Sequence, residues 1–316
     1  MNLGLWSPYV IEVCGGHDLK STDSIRPGLA GSFPTFIVDE RWVVKFFGRL
    51  FEGGQCWVVE KICAELMDEY KPFPTPKLVG WGELLPNDSW TWPYLIFEYI
   101  PGQSLGEIYD QVPENERVKI AKWMGVKVRL LHEIPANEKG LSALPRLDQL
   151  LHKNYQECVA HHQEWRTLPA SLVDDIPNYL QFTRKLTSSN PTAHLIHADL
   201  TQDHLIGVLK GGRWKTNGVI DFGDALLGNL EYELVPLHLD LFRADKVLLK
   251  AFLAGYELEA NLYANLTHLA MRASLLHNFN VFEGLYGKLP LIKYPDLETL
   301  AHVLWDIHVP WDINVL

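Results

Sequence analysis

Two short stretches carry residues suited to moving a phosphoryl group. Residues 194–206 read HLIHADLTQDHLI, and residues 218–224 read GVIDFGD. In each, an apolar run delivers an acid to a loop: Asp199 in the first, and Asp221, 22 residues on (221 minus 199), in the second. Phosphoryl transfer needs a carboxylate that orients an attacking hydroxyl and accepts its proton. It also needs oxygen ligands that hold Mg²⁺ against the β- and γ-phosphates. Asp199 suits the first task and Asp221 the second. Together the two stretches are specific, where either alone would be weak.

Upstream, Lys45 interrupts the apolar run WVVKFF at 42–47. A lysine inside such a strand is costly without an anionic partner. H-x-D, a strand-turn-strand and then D-F-G is the grammar of kinase catalytic loops. In that chemistry a strand lysine meets the α- and β-phosphates and is held by a helix glutamate. The segment QCWVVEKICAELM at 55–67 has apolar positions near helical period. It offers Glu60 as the lysine's partner, with Glu65 as the rival. Before Lys45, the small residues Gly28, Gly31 and Ser32 would let backbone N–H groups approach phosphate oxygens. The same loop also reads as an ordinary hairpin turn. After it, YLIFEYIPG at 94–102 leaves a buried strand for a Pro-Gly turn, as a hinge between two lobes would. Exposed backbone from Glu98 to Ile100 could there read an adenine edge.

The elements that must position these residues fall into two groups. Strands are expected at 24–38 and 42–47 around a turn at 39–41, and at 77–84 and 92–98 around a turn at 86–88. Pro72, Pro74 and Pro76 end the intervening helix. From about 103 the chain turns helical, with amphipathic helices at 114–132, 147–165 and 171–185. A helix restarts over 227–234 past Gly228. Three or four more fill 245–312, with breaks near Gly255, Gly284 and Pro290. The expected class is α+β: a small β-rich nucleotide-binding lobe at 1–98 and a larger, mainly helical catalytic and substrate-binding lobe at 99–316.

Composition bounds the partners. A chain of 316 residues, 47% hydrophobic and 21% charged, can bury real cores. No apolar run approaches the roughly 18 residues of a membrane span. The first 20 residues lack the basic segment of a signal peptide. Cys14, Cys56, Cys63 and Cys158 show neither CxxC pairing nor metal spacing. A cytoplasmic, monomeric protein with no membrane partner is therefore expected. The net charge of −11 argues against nucleic acid. From Asp221 onward, 13 acidic residues face 6 basic ones, giving −7 of that total. Such an excess would attract a cationic small molecule. Asp224, Glu231, Asp240 and Glu283 are candidates to hold it, though each also reads as a surface charge or a helix cap.

The chain resembles the aminoglycoside phosphotransferase superfamily, itself similar in fold to protein kinases. More narrowly it resembles the hygromycin B phosphotransferases that modify the 7″-hydroxyl. The likeness rests on VVKFFG at 43–48, PTPKLVGWGEL at 74–84, WPYL at 92–95, VIDF at 219–222, LHLDLFRAD at 237–245 and HNFNVFE at 277–283. It runs from about residue 25 to 308. It implies an ATP- and Mg²⁺-dependent transfer to a hydroxyl. Lys45 would lie on the ATP phosphates with Glu60 behind it, Asp199 would be the base, Asp221 a Mg²⁺ ligand, and His197 a brace for the loop. One position departs: the family pattern H-x-D-x-x-x-x-N places a metal-binding Asn where this chain has His204. Imidazole is a softer donor than an amide oxygen. His204 would then ligate less favourably, or Asp203 would replace it, or the second metal would be lost. A metabolic kinase of a sugar or amino alcohol, and a nucleotide-binding regulatory module of low turnover, are the rival readings.

Overall fold

Period-2 alternation along residues 42–47 decides which way Lys45 points. The computed structural model describes residues 2–19, 23–85, 90–135, 137–138, 140–186, 193–258, 265–285 and 289–308. It divides the chain into two compact units: Met1–Ser104 with His204–Val208 and Lys215–Ala225, and Leu105–Asp203 with Leu209–Trp214 and Leu226–Leu316.

The first unit is built on helix α1 (Leu3–Gly16), strands β1 (Ile25–Pro27), β2 (Thr35–Val38) and β3 (Trp42–Phe46), and helix α2 (Gly53–Tyr70). Strands β4 (Leu78–Leu84) and β5 (Trp92–Glu98) complete its sheet. The five strands are antiparallel in the order β1-β2-β3-β5-β4. Val44 and Phe46 of β3 and Ile96 of β5 join Val10, Val13 and Cys14 of α1 in one core cluster. Phe47 and Leu95 and Phe97 of β5, with Val43 and with Cys56, Trp57 and Ala64 of α2, form a second cluster. Lys45, two residues from Val43 and from Phe47, is thereby turned to the α2 face. The sheet differs from the sequence expectation in one place. Residues 24–38 are not one strand but two, β1 and β2, which pair antiparallel with Pro27 opposite Phe36 and are joined by the loop that carries Gly31 and Ser32. The turn expected at 86–88 lies outside the described residues. Helix α1 was not expected: Pro8 inside it and Gly15-Gly16 at its end mask an apolar face that Asn2 caps.

A second, three-stranded sheet, β6-β8-β9, consists of β6 (Gln103–Ser104), β8 (Leu205–Lys210) and β9 (Arg213–Val219). In the first unit, Val219 N–H donates to the Pro74 carbonyl at 2.8 Å, and Phe222 packs on Phe73. These contacts tie the base of the hairpin, and with it Asp221, to the segment after α2.

The second unit holds α3 (Leu105–Ile108), α4 (Glu114–His132), α5 (Leu147–Trp165) and α6 (Ala170–Thr183). It continues with β7 (His194–Ile196), β10 (Leu226–Gly228), α7 (Leu230–Pro236), α8 (Lys246–Tyr256), α9 (Leu266–Leu275) and α10 (Leu297–Trp305). Helices α4, α5 and α6 lie within a residue or two of the expected spans. Leu227 and Gly228, expected to open a helix, instead pair as β10 with β7, and α7 begins after the cap at Asn229. The break expected near Gly255 is present, since α8 ends one residue on, at Tyr256, with Glu257 left-handed at its cap. Gly255 also serves packing: a Cβ there would strike the Lys122 backbone, while a Cβ on Gly125 of α4 would strike the backbone of α8. The two glycines allow the helix backbones to touch. G125A should therefore destabilise the chain by about 1–3 kcal/mol, since a clash with backbone outweighs the alanine's higher helix propensity. A urea midpoint that stays put or rises would contradict this packing.

Candidate functional site

Three segments far apart in sequence meet at one ammonium in the first unit. Lys45 of β3 donates to Glu60 Oε2 at 2.8 Å and to Asp221 Oδ1 at 2.7 Å. Lys45 and Glu60 are both buried, with side chains 8% and 7% exposed. Glu60 takes this place because it lies on the inward face of α2 with Val59, Cys63 and Met67; Glu65 faces solvent. Burial alone would push the Lys45 ammonium down, but the Asp221 and Glu60 carboxylates outweigh it and raise its pKa, so the charge is retained. The rings of Phe33 and Phe47 lie 5.6 and 5.3 Å from Nζ.

Asp221 has a left-handed backbone, φ 66°, immediately after the strand that delivers it. Its Oδ2 lies 3.9 Å from His204 Nε2. Asp224 is close enough for burial, and next the Asp221 carboxylate, to push its acid up to about 6. Glu60 is raised as well, by burial first and with Asp221 contributing. Three carboxylates thus gather around one lysine with negative charge to spare. That donor set fits a hard divalent cation such as Mg²⁺. Of the two residues that could stand in for the family Asn, His204 faces Asp221, whereas the Asp203 carboxylate packs against Gly106 in the other unit's own chain segment.

The remaining candidates of this unit lie on its loops and strand ends. Gly28, Gly31 and Ser32 belong to the β1–β2 loop. Gly28 N–H is already given to Thr35 C=O at 2.8 Å, and a Cβ at Gly28 would crowd Thr35. Gly31 and Ser32 are exposed. Glu98 ends β5 and gives its N–H to Lys77 C=O, while Tyr99 N–H is taken by Arg41 C=O. Ile100 packs over Gly218.

In the second unit, Asp199 follows β7 on a loop whose backbone is held from below. Ala198 has φ 65°, a left-handed conformation that costs a non-glycine residue about 1–2 kcal/mol. It is held there by Glu233 of α7, fully buried, whose two carboxylate oxygens accept the N–H groups of Ala198 at 2.8 Å and His197 at 3.3 Å. His197 is itself buried, and its Nδ1 lies 3.4 Å from the Asp199 N–H. Further along, Asp240 Oδ1 accepts the Gln202 N–H at 2.8 Å. Asp240 sits in a π-helical turn, Leu237–Leu241, that follows α7. Arg243 continues the bracing, bonding Gln202 and Asp110 while lying over Tyr109. Of the four acids considered for a cationic substrate, Asp224 belongs with Asp221 in the first unit. Glu231 is buried in α7, Asp240 braces the loop, and Glu283 is exposed on a short helical turn. Glu233 escaped the sequence reading. The available signal was an acid at the fourth position of an apolar helix capped by asparagine, which cannot stay buried without donors.

The sequence of residues 31–269 matches the family model described as the phosphotransferase enzyme family, APH. The match covers well over half of the chain, and the chain belongs to this family. Solved structures share its kinase-like fold. The GDP complex of wild-type aminoglycoside 2′-phosphotransferase-IIIa is 22% identical, with a TM-score of 0.68 over 94% of this chain and 96% of that one. The streptomycin–ATP–APH(2″)-IIa ternary complex is 17% identical, with a TM-score of 0.61 over 94% and 95%. The microcompartment-associated aminopropanol kinase is 16% identical, with a TM-score of 0.64 over 94% and 93%. Among curated proteins, the lysine-specific demethylase JMJ21 of Arabidopsis thaliana is 23% identical over 235 residues, 63% of this chain and 24% of that protein. The chain thus spans about a quarter of that relative's length. Among the described residues no helix is long and apolar enough to cross a membrane.

The Glu233 brace has a pH signature. Burial pushes its acid from 4.5 up to about 7, against the pull of the two N–H donors. Between those values the folded chain binds more protons than the unfolded one. The contribution to stability is therefore fully present below pH 4.5 and lost as pH rises through about 7. E233Q should flatten that part of the stability profile, measured by urea midpoints across the range. A slope as steep as wild type would assign the proton uptake elsewhere.

Proposed function

We propose that the chain is an ATP- and Mg²⁺-dependent O-phosphotransferase whose acceptor is a hydroxyl of a cationic aminoglycoside, with hygromycin B the first candidate. The observation that carries this reading is the buried Lys45–Glu60–Asp221 constellation. It presents an ammonium held in place by one helix acid and shared with an acid that a metal could claim. Lys45 is assigned to the nucleotide phosphates and Glu60 to fixing it. Gly31 and Ser32, with Gly28 shaping their loop, are assigned to the phosphate oxygens, and Glu98 and Ile100 to the adenine edge.

Asp221, with His204 beside it and Asp224 near, would hold Mg²⁺, which when bound supplies positive charge against the phosphate oxygens. Asp199 is assigned as the base that orients the acceptor hydroxyl and takes its proton. Its loop is preorganised by Glu233, His197 and Asp240, so little reorganisation is left for the reaction itself. Lys45 offsets charge developing on the transferred group. The residues 1–98 act in this reading as the nucleotide-binding lobe, and 99–316 as the catalytic and substrate-binding lobe. The acidic excess after Asp221 supports a cationic acceptor, drawn among others by Glu231 and Glu283. The protein would act as a cytoplasmic monomer. A smaller amino alcohol is the second reading, favoured by the fold shared with an aminopropanol kinase.

The test is transfer of labelled phosphate from ATP with Mg²⁺ to a panel of aminoglycosides including hygromycin B, with simple amino alcohols alongside. Transfer to hygromycin B that falls about 10²–10⁴-fold in D199N is expected. Transfer only to an amino alcohol would support the second reading. Undiminished transfer by D199N would remove Asp199 from its assigned role.

A further inference from the structure

Two histidines and a glutamate with no part in the chemistry proposed above meet on the surface of the second unit. His268 lies on α9, and Glu298 and His302 lie one turn apart on α10. One donor atom of each lies within 4.8 Å of those of the other two. We propose that His268, Glu298 and His302 form a binding site for a transition-metal dication, with Zn²⁺ as the best match. No residue of the phosphotransferase reading is involved, so the two stand or fall separately.

The neighbours of the two imidazoles carry the argument. His302 Nδ1 is 3.2 Å from Asp306 Oδ2, and His268 Nδ1 is 3.1 Å from the Tyr179 hydroxyl. When each Nδ1–H donates to its oxygen, each Nε2 carries the lone pair that a metal needs, and each ring is fixed in direction. Metal-ligating histidines are oriented in this way by a carboxylate or another oxygen acceptor. The two rings stand nearly perpendicular, at 86°, with centroids 5.4 Å apart. Donors around a tetrahedral metal with bonds of about 2.0–2.1 Å lie about 3.3 Å apart. Side-chain rotation of an ångström or so would therefore close the site.

The donor set selects the ion. Two imidazole nitrogens and one carboxylate suit Zn²⁺ and its neighbours in the first transition row, and not Mg²⁺ or Ca²⁺, which want oxygen throughout. His302 is 46% exposed and Glu298 is exposed, which gives the ion an entry path and leaves room for water as a fourth ligand. A metal here would join α10 to α9. It would add to the packing between these helices and to the bond from Leu297 N–H to Asp175 of α6.

The untagged 316-residue chain would be titrated with Co²⁺, whose visible ligand-field bands report tetrahedral nitrogen ligation, and then with Zn²⁺ in competition. The expected result is one such Co²⁺ per chain, displaced by Zn²⁺, and a rise in Tm with Zn²⁺ that a chelator reverses. The double variant H268A/H302A should lose the bands. The single variant H302Q, a mild change at a half-exposed position, guards against misfolding and should lose them too. D306N, which removes only the orienting carboxylate, should weaken Co²⁺ roughly 10- to 100-fold. Wild-type bands retained in H302Q and in the double variant, or no bands in wild type at saturating Co²⁺, would overturn the proposal.

Discussion

The burial of one ammonium constrains the first unit more than any other interaction in it. A buried lysine charge is tolerated only when paired and hydrogen-bonded, and removing one partner of such a pair typically costs about 3–5 kcal/mol. Lys45 meets this demand with two carboxylates drawn from a helix and from the end of a hairpin. Each part follows from local periodicity. Alternation along β3 turns Lys45 to the α2 face, and the 3.6-residue period of α2 brings Glu60 onto the side that carries Cys63 and Met67. The third partner needs tertiary structure. Asp221 arrives only because β9 is fastened to Pro74 and Phe222 packs on Phe73.

Asp199 depends on the opposite arrangement, in which the acid is kept accessible and its backbone is held. Asp199 is half-buried, while the residues just before it are fully buried and their N–H groups are spent on Glu233. A left-handed Ala198 next to the proposed base is strain that persists because α7 over-determines it. The π-helical turn after α7 extends the same support, presenting Asp240 to the next loop N–H. Two acids of the second unit, Glu233 and Asp240, thus serve the backbone of this loop. Carboxylates that bind backbone in this way fix it before the reaction and leave less motion to freeze during it.

The sequence spoke clearly where a residue's type conflicts with its surroundings or where a period is long. Lys45 in an apolar strand demanded an acid, and the helix that follows it offered Glu60 at the inward spacing. The nineteen-residue helices α4 and α5 are legible from their apolar stripes alone. What stayed hidden was set by contacts between distant segments. Leu227 and Gly228 look like the start of a helix until β7 is there to pair with them. Gly255 reads correctly as the end of a helix, but nothing in the spacing shows that it is also where α8 touches α4. Glu233 looks like a surface acid until the His197–Ala198 backbone turns its donors toward it. The substrate remains the least legible feature, since Glu231, Asp240 and Glu283 are separated by burial and partners that no spacing encodes.

The most direct measurement of the central claim is an equilibrium titration of ATP with Mg²⁺ against wild type, K45M and E60Q, scored by calorimetry. The account predicts measurable binding by wild type, a loss of at least about tenfold in K45M, and a smaller loss in E60Q, where Lys45 keeps Asp221 but loses its fixed direction. Equal ATP affinity in all three proteins, each shown to be folded, would contradict it. The buried ion pair would then be part of the core and not a phosphate site.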